Sequence, residues 1–268
     1  LFSHGYGSFA KQNNHQMEML ASHGYVVFSL HHPYESLYTP FPDGTAVTMA
    51  ETPLQAILEE AYGGEVGDYA ADLESHLIPV TSAPDPETAR LAMVELAGAP
   101  VYAGFEQSID IWREDTVLLL DSLAALDAGG QPFSGRLDLD RIGIFGHSFG
   151  GITAGEICMM ADTPVKAGIN LDAPQLFFDG EQRPQLQTPF LFAYSTEARY
   201  GKVVLDMTGA NDYLADTSPH RTYSVAVEGT GHYNFSYMTF VPMLSMFGLL
   251  GPIDGVLAGQ ISDNLVLG

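Results

Sequence analysis

The chain has 268 residues, of which 46% are apolar, so it can bury a sizeable core as one large domain. It carries 10 Lys and Arg against 33 Asp and Glu, which gives a formal net charge of −23. This shortage of bases argues against a nucleic-acid partner and against electrostatic docking on an anionic membrane, because both depend on Lys and Arg.

Short apolar runs alternate with helical periodicity along most of the chain. In chain order we predict the strand end Leu1–Ser3, the helix Gln12–His23, the strand Tyr25–Leu30, the helix Ile109–Ala125, the strand Arg141–Phe145, the helix Gly151–Met160 and the strands Ala167–Leu171, Phe190–Tyr194 and Thr222–Val227. Continuous apolar runs of this length are typical of parallel strands buried on both faces. The order predicts a single α/β domain over residues 1–268, with a mostly parallel sheet flanked by helices.

The segment from about Pro33 to Phe105 breaks this alternation, since it is long and rich in turns. Two interpretations are open: a lid-like insertion over a pocket, or helices added to the surface with a solvated acidic face. In the overlapping stretch 51–115 the only bases are Arg90 and Arg113, so much of the negative charge lies there.

The longest apolar stretch of the chain is Tyr237–Leu250. It contains Pro242 and Ser245 and is too short to span a bilayer. We therefore expect a buried helix there and no stable membrane insertion. The sequence does not indicate an oligomeric state.

The cysteine and histidine pattern predicts no metal and no cofactor. A single cysteine, Cys158, excludes an intramolecular disulfide and cysteine-based zinc or iron–sulfur sites. Adjacent His31 and His32 point to opposite faces of a strand end, which disfavours joint ligation. The chain opens at Leu1 without a leader, so we expect that any signal peptide was removed or never existed, and export is slightly favoured over a cytoplasmic location.

The pattern G-x-S-x-G occupies residues 146–150, between a predicted strand and a predicted helix. A G-x-S-x-G pattern in this strand–turn–helix context is typical of the nucleophile turn of serine hydrolases. The two glycines leave room for a sharp turn, which lifts the Ser148 hydroxyl above the carboxyl edge of the sheet, at the positive end of a helix. We predict that Ser148 is a nucleophile.

A serine nucleophile needs a histidine base. In the chain order Ser, acid, His that accompanies this motif, the base is His220 or His232. His232 lies in a glycine-bearing loop after the predicted strand Thr222–Val227, whereas His220 precedes that strand and would lie at the opposite edge. We therefore predict that His232 is the base.

The base in turn needs a carboxylate to orient it, and position leaves three candidates open. Asp172 directly follows the predicted strand Ala167–Leu171, Glu197 follows Phe190–Tyr194, and Asp212 lies in a later loop. A carboxylate after either strand can reach the histidine, and Asp172 could instead be a simple turn former.

The loop at residues 4–7, His-Gly-Tyr-Gly, is suited to supply part of an oxyanion hole. Its glycines allow close approach, so the backbone N–H groups of Tyr6 and Phe149 could converge on a substrate oxygen. We expect His4 to brace this loop rather than to react.

Several segments together resemble the platelet-activating-factor acetylhydrolase family of α/β-hydrolases, the plasma-type enzymes and their bacterial relatives. The similar segments are the oxyanion loop 1–7, the helix-to-strand passage 20–27, the elbow 146–151, Asn-Leu-Asp-Ala at 170–173 and His-Tyr-Asn-Phe at 232–235. The resemblance covers most of the chain and selects Asp172 as the acid. It also implies that relatives carry strands before Leu1 and a helix after the last residues, so the chain would be truncated at both ends.

The resemblance implies an α/β-hydrolase fold and a serine hydrolase that cleaves a small-molecule carboxylic ester through Ser148, His232 and Asp172. A short-acyl phospholipid or a polyester would also fit this chemistry. The alternative is a non-catalytic binding protein on a hydrolase scaffold, since fold alone does not determine function.

Overall fold

The computed structural model describes residues 1–50, 66–102, 104–130, 132–200 and 203–268. The strands are β1 (Phe2–Ser3), β2 (Tyr38–Pro40), β3 (Ala46–Thr48), β4 (Ile142–His147), β5 (Val165–Leu171), β6 (Phe190–Ser195), β7 (Ala198–Tyr200), β8 (Val203–Leu205) and β9 (Thr222–Val227). The central sheet has the order β1-β4-β5-β6-β9, and each strand is parallel to its neighbours. The predicted α/β fold with a mostly parallel sheet is confirmed.

Helices lie on both faces of this sheet. They are α1 (Asn14–Ser22), α2 (Val66–Thr81), α3 (Pro86–Ala97), α4 (Phe105–Ala128), α5 (Phe149–Met159), α6 (Asp212–Thr217) and α7 (Gly255–Leu267). The three helices predicted from periodicity correspond to α1, α4 and α5 with slightly different ends. Asp254 caps α7 by accepting a hydrogen bond from the Leu257 N–H at 2.9 Å.

Neighbouring residues of a strand point to opposite faces, and the sheet therefore separates two cores. Ile144 packs in the core that includes Trp112 of α4. The next residue, Phe145, packs in the core that includes Leu20 of α1 and Val266 of α7. Burial on both faces explains the continuous apolar runs of the sequence.

The prediction of a buried strand at Tyr25–Leu30 is wrong. Only a single parallel bridge forms, between Ser29 and Phe2. Tyr25 is 53% exposed and Val26 is 44% exposed. The segment runs beside β1, which is itself only two residues long, so there is little ladder for it to extend.

The prediction of a buried helix at Tyr237–Leu250 is also wrong. The chain forms two 3₁₀ helices, Tyr237–Phe240 and Pro242–Phe247, because the proline that opens the second has no N–H to continue the first. Met246 and Phe247 are 83% and 71% exposed. Within the described residues, no helix is both long enough and apolar enough to cross a bilayer.

Part of the predicted insertion 33–105 can be described; residues 51–65 and 103 lie outside the described residues. The described part contains the antiparallel hairpin of β2 and β3 and the helices α2 and α3, which pack on each other. Leu73 of α2 and Leu96 of α3 join the core around Trp112, so these helices are part of the domain's packing. A role as a lid stays a prediction.

The turn at residues 146–150 has no room for side chains at its glycines. A Cβ added at Gly150 would overlap the carbonyl oxygen of Ser3, and one added at Gly146 would overlap the carbonyl of Gly150. We expect Gly150→Ala to lower the free energy of unfolding by about 3 kcal/mol, since backbone atoms must move. Gly143→Ala, in the same strand as Gly146 but with its nearest neighbour at an ordinary 3.7 Å, is the matched control. Urea unfolding of both variants measures the difference, and equal losses would contradict this account.

Candidate active site

The carboxyl edge of the parallel sheet gathers the predicted site residues. Ser148 directly follows β4, Asp172 directly follows β5, and His232 opens a 3₁₀ helix in the loop after β9. Because adjacent parallel strands end at the same edge, residues far apart in sequence come together there.

Ser148 has an unusual backbone conformation, with φ 56° and ψ −125°. This positive φ is costly for a residue with a side chain and is found where the surrounding structure enforces it. The Ser148 N–H donates to the Leu171 carbonyl at 2.8 Å, and the Ser148 carbonyl accepts from Gly151 N–H at 2.7 Å as α5 begins. Ser148 as a residue is half-buried, whereas the other residues of the turn 146–150 are buried.

His232 and Asp172 form a hydrogen-bonded pair. The Nδ1 of His232 lies 2.8 Å from Oδ2 of Asp172, whose side chain is fully buried, while the His232 side chain is 16% exposed. A carboxylate only accepts, so Nδ1 carries the hydrogen and Nε2 is the basic nitrogen.

A second residue, Ser195 at the end of β6, also supports the Asp172 carboxylate. Its N–H donates to Oδ1 at 2.6 Å and its hydroxyl donates to Oδ2 at 2.8 Å. Burial alone would raise the pKa of Asp172, but the hydrogen bonds from His232 and Ser195 outweigh it and hold that pKa below its usual value. Ser195 was not predicted, although it directly follows the predicted strand Phe190–Tyr194, at the same edge.

The other candidates for acid and base lie elsewhere. Glu197 accepts from the Arg199 guanidinium at 2.9 Å, and Asp212 accepts from the Ser224 hydroxyl at 2.9 Å. His220 is exposed and precedes β9, at the opposite edge of the sheet. The contact with His232 is thus made by Asp172.

The predicted oxyanion loop lies against the elbow. A Cβ added at Gly5 would be 3.2 Å from Cβ of Ser148, so this glycine allows the loop to approach the serine. The Tyr6 and Phe149 rings meet edge to face with centroids 5.3 Å apart. Phe149 is the first residue of α5, where backbone N–H groups have no partner within the helix.

A hydrogen-bond chain that the sequence did not indicate links three parts of the site. Oε1 of Gln12 accepts from the Gly5 N–H at 2.6 Å, and Nε2 of Gln12 donates to Nδ1 of His147 at 2.6 Å. Nε2 of His147 donates to the His232 carbonyl at 2.9 Å. Gln12 and His147 thus join the oxyanion loop, the elbow and the histidine loop, and no local pattern marks Gln12 for this position.

Buried histidines near the site should make the protein sensitive to acid. Burial lowers the pKa of both His4 and His147 to about 3. In the unfolded chain each titrates near 6.5. Between these values the unfolded state binds more protons, so stability falls as pH is lowered, by about 1.4 kcal/mol per pH unit for each histidine.

The variant His147→Gln tests this linkage, since it keeps an amide donor but removes one titrating group. From pH 6 to pH 4 we expect the free energy of unfolding to fall more steeply for wild type than for the variant. The difference in slope should be about 1.4 kcal/mol per pH unit. Urea unfolding at several pH values measures it, and parallel stability curves would contradict the assignment.

In the part of the chain that the structure describes, no group of three or more His, Cys, Asp or Glu side chains is placed to hold a metal ion. Burial raises the pKa of Cys158 to about 12, which leaves it a protonated core thiol near neutral pH.

The chain matches the family model described as Platelet-activating factor acetylhydrolase, isoform II, over residues 119–268. Proteins named platelet-activating factor acetylhydrolase align with the whole chain: that of Bos taurus is 26% identical over 272 residues, that of Canis lupus familiaris 24% over 272 and that of Cavia porcellus 25% over 273. The alignments cover 55% of each relative, so the chain spans about half the length of these curated relatives.

Among solved structures, a dienelactone hydrolase-like promiscuous phosphotriesterase from metagenomic libraries superposes with a TM-score of 0.42 at 15% identity, covering 99% of this chain and 85% of that one. The family match is the decisive comparison, since residues 119–268 are more than half of the chain and include Ser148, Asp172 and His232. The chain belongs to the platelet-activating factor acetylhydrolase, isoform II, family.

Proposed function

We propose that this protein is a serine hydrolase of carboxylic esters, with Ser148 as nucleophile, His232 as base and Asp172 as the orienting carboxylate. The hydrogen bond between His232 Nδ1 and the buried Asp172 carboxylate carries the proposal, because it leaves Nε2 of His232 as the basic nitrogen. Membership of a family whose curated relatives are named acetylhydrolases supports the same chemistry.

In the proposed reaction, Oγ of Ser148 attacks the ester carbonyl while Nε2 of His232 takes its proton. The N–H groups of Tyr6 and Phe149 stabilise the oxyanion of the tetrahedral intermediate. His232 then gives its proton to the leaving alkoxide, which departs as the alcohol and leaves an acyl group on Ser148. Water, deprotonated by His232, attacks this acyl-enzyme. The imidazolium then returns the proton to Oγ of Ser148 as the acyl–oxygen bond breaks, which releases the carboxylic acid and free Ser148.

Asp172 serves this cycle without gaining a proton. Its carboxylate holds the imidazole in the tautomer with hydrogen on Nδ1 and stabilises the imidazolium that forms twice in each turnover. The hydrogen bonds from Ser195 keep the carboxylate ionised and fixed in the protein interior.

The proposed substrate is a small neutral ester. A short acyl group is proposed because the curated relatives are named acetylhydrolases. The net charge of −23 disfavours the approach of anionic substrates over long range.

Hydrolysis of p-nitrophenyl esters from acetate to octanoate, together with labelling by a fluorophosphonate probe, tests the proposal. We expect turnover of the acetate and one covalent adduct, on Ser148. A protein that binds esters but neither hydrolyses them nor reacts with the probe would be a binding protein on a hydrolase scaffold, and the proposal would fail.

A further inference from the structure

A second row of serine, histidine and carboxylate lies beneath the oxyanion loop. Nε2 of His32 is 3.1 Å from the Ser3 hydroxyl, and Nδ1 of His32 is 2.8 Å from Oδ2 of Asp115. The carboxylate only accepts, so Nδ1 of His32 donates to Asp115 and Nε2 accepts from Ser3. Ser3 and His32 are 0% and 1% exposed, which closes this serine to any ester. The row therefore has a different role from the site above it.

This row continues into the oxyanion loop through two further side chains. The Ser36 hydroxyl accepts from the backbone N–H of His32 at 3.0 Å and lies 2.8 Å from Nε2 of His4. Nδ1 of His4 donates to the Gly5 carbonyl at 2.7 Å. Asp115 thus holds the ring of His32, and hydrogen bonds lead from the backbone N–H of the same His32 through Ser36 and His4 to the peptide bond between Gly5 and Tyr6.

The orientation of that peptide bond determines where the proposed oxyanion donor points. The Gly5 carbonyl and the Tyr6 N–H belong to one planar trans peptide, so they point in opposite directions. The carbonyl is held by His4 and also accepts from the Ser8 N–H at 3.0 Å. Because the carbonyl is held in place by these two bonds, the Tyr6 N–H is held pointing to the other side of the loop.

The row is anchored on α4, which carries Asp115 and Trp112. The Trp112 ring is fully buried and stacks on His32 with centroids 3.7 Å apart and planes 10° apart. Its Nε1 donates to the Glu35 carboxylate at 2.5 Å, and the Glu35 carbonyl accepts from the Gly7 N–H at 3.0 Å. Both glycines of the oxyanion loop are thus tied to one long helix.

We propose that His32 and Asp115 are positioning residues of the oxyanion hole, which hold the peptide between Gly5 and Tyr6 in the orientation that stabilises the tetrahedral intermediate. The assignment rests on the proposed function. Neither residue touches the substrate; each acts through Ser36 and His4. Disrupting them is therefore expected to weaken stabilisation of the transition state, which lowers kcat, and to leave substrate binding nearly unchanged.

Three variants separate this role from general packing. His32→Phe keeps a flat ring against Trp112 but removes both ring hydrogen bonds. Asp115→Ala removes the acceptor at a side chain that is 33% exposed, so this variant should fold even if His32→Phe does not. Asp115→Asn retains an oxygen acceptor for Nδ1 of His32 and is the conservative control.

The readouts are kcat, KM and the ratio of kcat/KM for an oxygen ester to that for the matching thionoester. Sulfur is a poor acceptor, so this ratio reports the oxyanion hole itself. We expect His32→Phe and Asp115→Ala to lower kcat roughly 10- to 100-fold with KM changed less than about threefold, and to lower the ratio. Asp115→Asn should remain within about threefold of wild type.

Folded Asp115→Ala protein with wild-type kcat and ratio would overturn the positioning role, as would an equal loss on the two esters. Failure of the underlying function looks different. In that case wild-type protein hydrolyses no ester and does not react with the fluorophosphonate probe, and both assignments fall together. Wild-type activity with unaffected variants removes the positioning role alone.

Discussion

Replacing Ser148 with alanine should lower kcat for ester hydrolysis by roughly 10⁴-fold or more, and should abolish labelling by a fluorophosphonate. Oγ of Ser148 is the atom that the proposed mechanism attaches to the acyl group. Ser148 is the one residue of the turn 146–150 that carries a hydroxyl. Initial rates with p-nitrophenyl acetate and intact-protein mass after exposure to the probe measure the two effects.

The fold of the Ser148→Ala variant should be unchanged. Alanine keeps the Cβ of serine, so the cost of φ 56° is the same in both proteins. Ser122→Ala is a matched control, because Ser122 is half-buried on α4 and its hydroxyl donates to the Leu118 carbonyl of the same helix. Ser148→Ala protein that melts like wild type but still turns over more than a few per cent of the ester would contradict a serine mechanism.

The sheet and its order of elements could be predicted because burial on both faces leaves a strong signal in the sequence. Runs such as 190–194 are apolar at every position, which is typical of a strand covered on both sides. The G-x-S-x-G pattern predicted Ser148 as the nucleophile. Position after such a run made Asp172 one of three candidates for the acid, and only the family resemblance selected it.

The two wrong predictions have one physical cause. The runs 25–30 and 237–250 are as apolar as the true strands and helices, yet Val26 and Phe247 are 44% and 71% exposed. Hydrophobicity indicates that a residue gains by burial, but it does not indicate whether another element is there to cover it. The neighbour of the first run is the two-residue β1, and the second is interrupted by Pro242.

Hydrogen bonds between side chains far apart in the sequence could not be predicted from the sequence. The bond between Gln12 and His147 joins residues 135 positions apart, and that between His32 and Asp115 joins residues 83 apart. Neither pair has a spacing that periodicity can detect. The first contact joins the segment before α1 to the elbow, and the second joins the segment before β2 to α4, so both follow from the tertiary fold.

Replacing Asp172 with asparagine should lower kcat by roughly 10²- to 10⁴-fold with little change in KM. Three donors point at this carboxylate: Nδ1 of His232, the N–H of Ser195 and the hydroxyl of Ser195. An amide has one accepting oxygen, so in either orientation its NH₂ faces a donor. With the NH₂ toward His232, the imidazole adopts the tautomer with hydrogen on Nε2 and can no longer accept the proton of Ser148.

Controls at neighbouring side chains distinguish this tautomer effect from loss of structure. Ser195→Ala removes one of the three donors but leaves the Asp172 carboxylate to orient His232, so its kcat should stay within roughly tenfold of wild type. Glu197→Gln and Asp212→Asn change acids that bond to Arg199 and Ser224, and should leave kcat unchanged. If Asp172→Asn were nearly fully active while either of these lost activity, that other acid would be the partner of His232. A folded Asp172→Asn protein with a deep loss of kcat, beside active Ser195→Ala protein, is the pattern that a tautomer-fixing carboxylate requires.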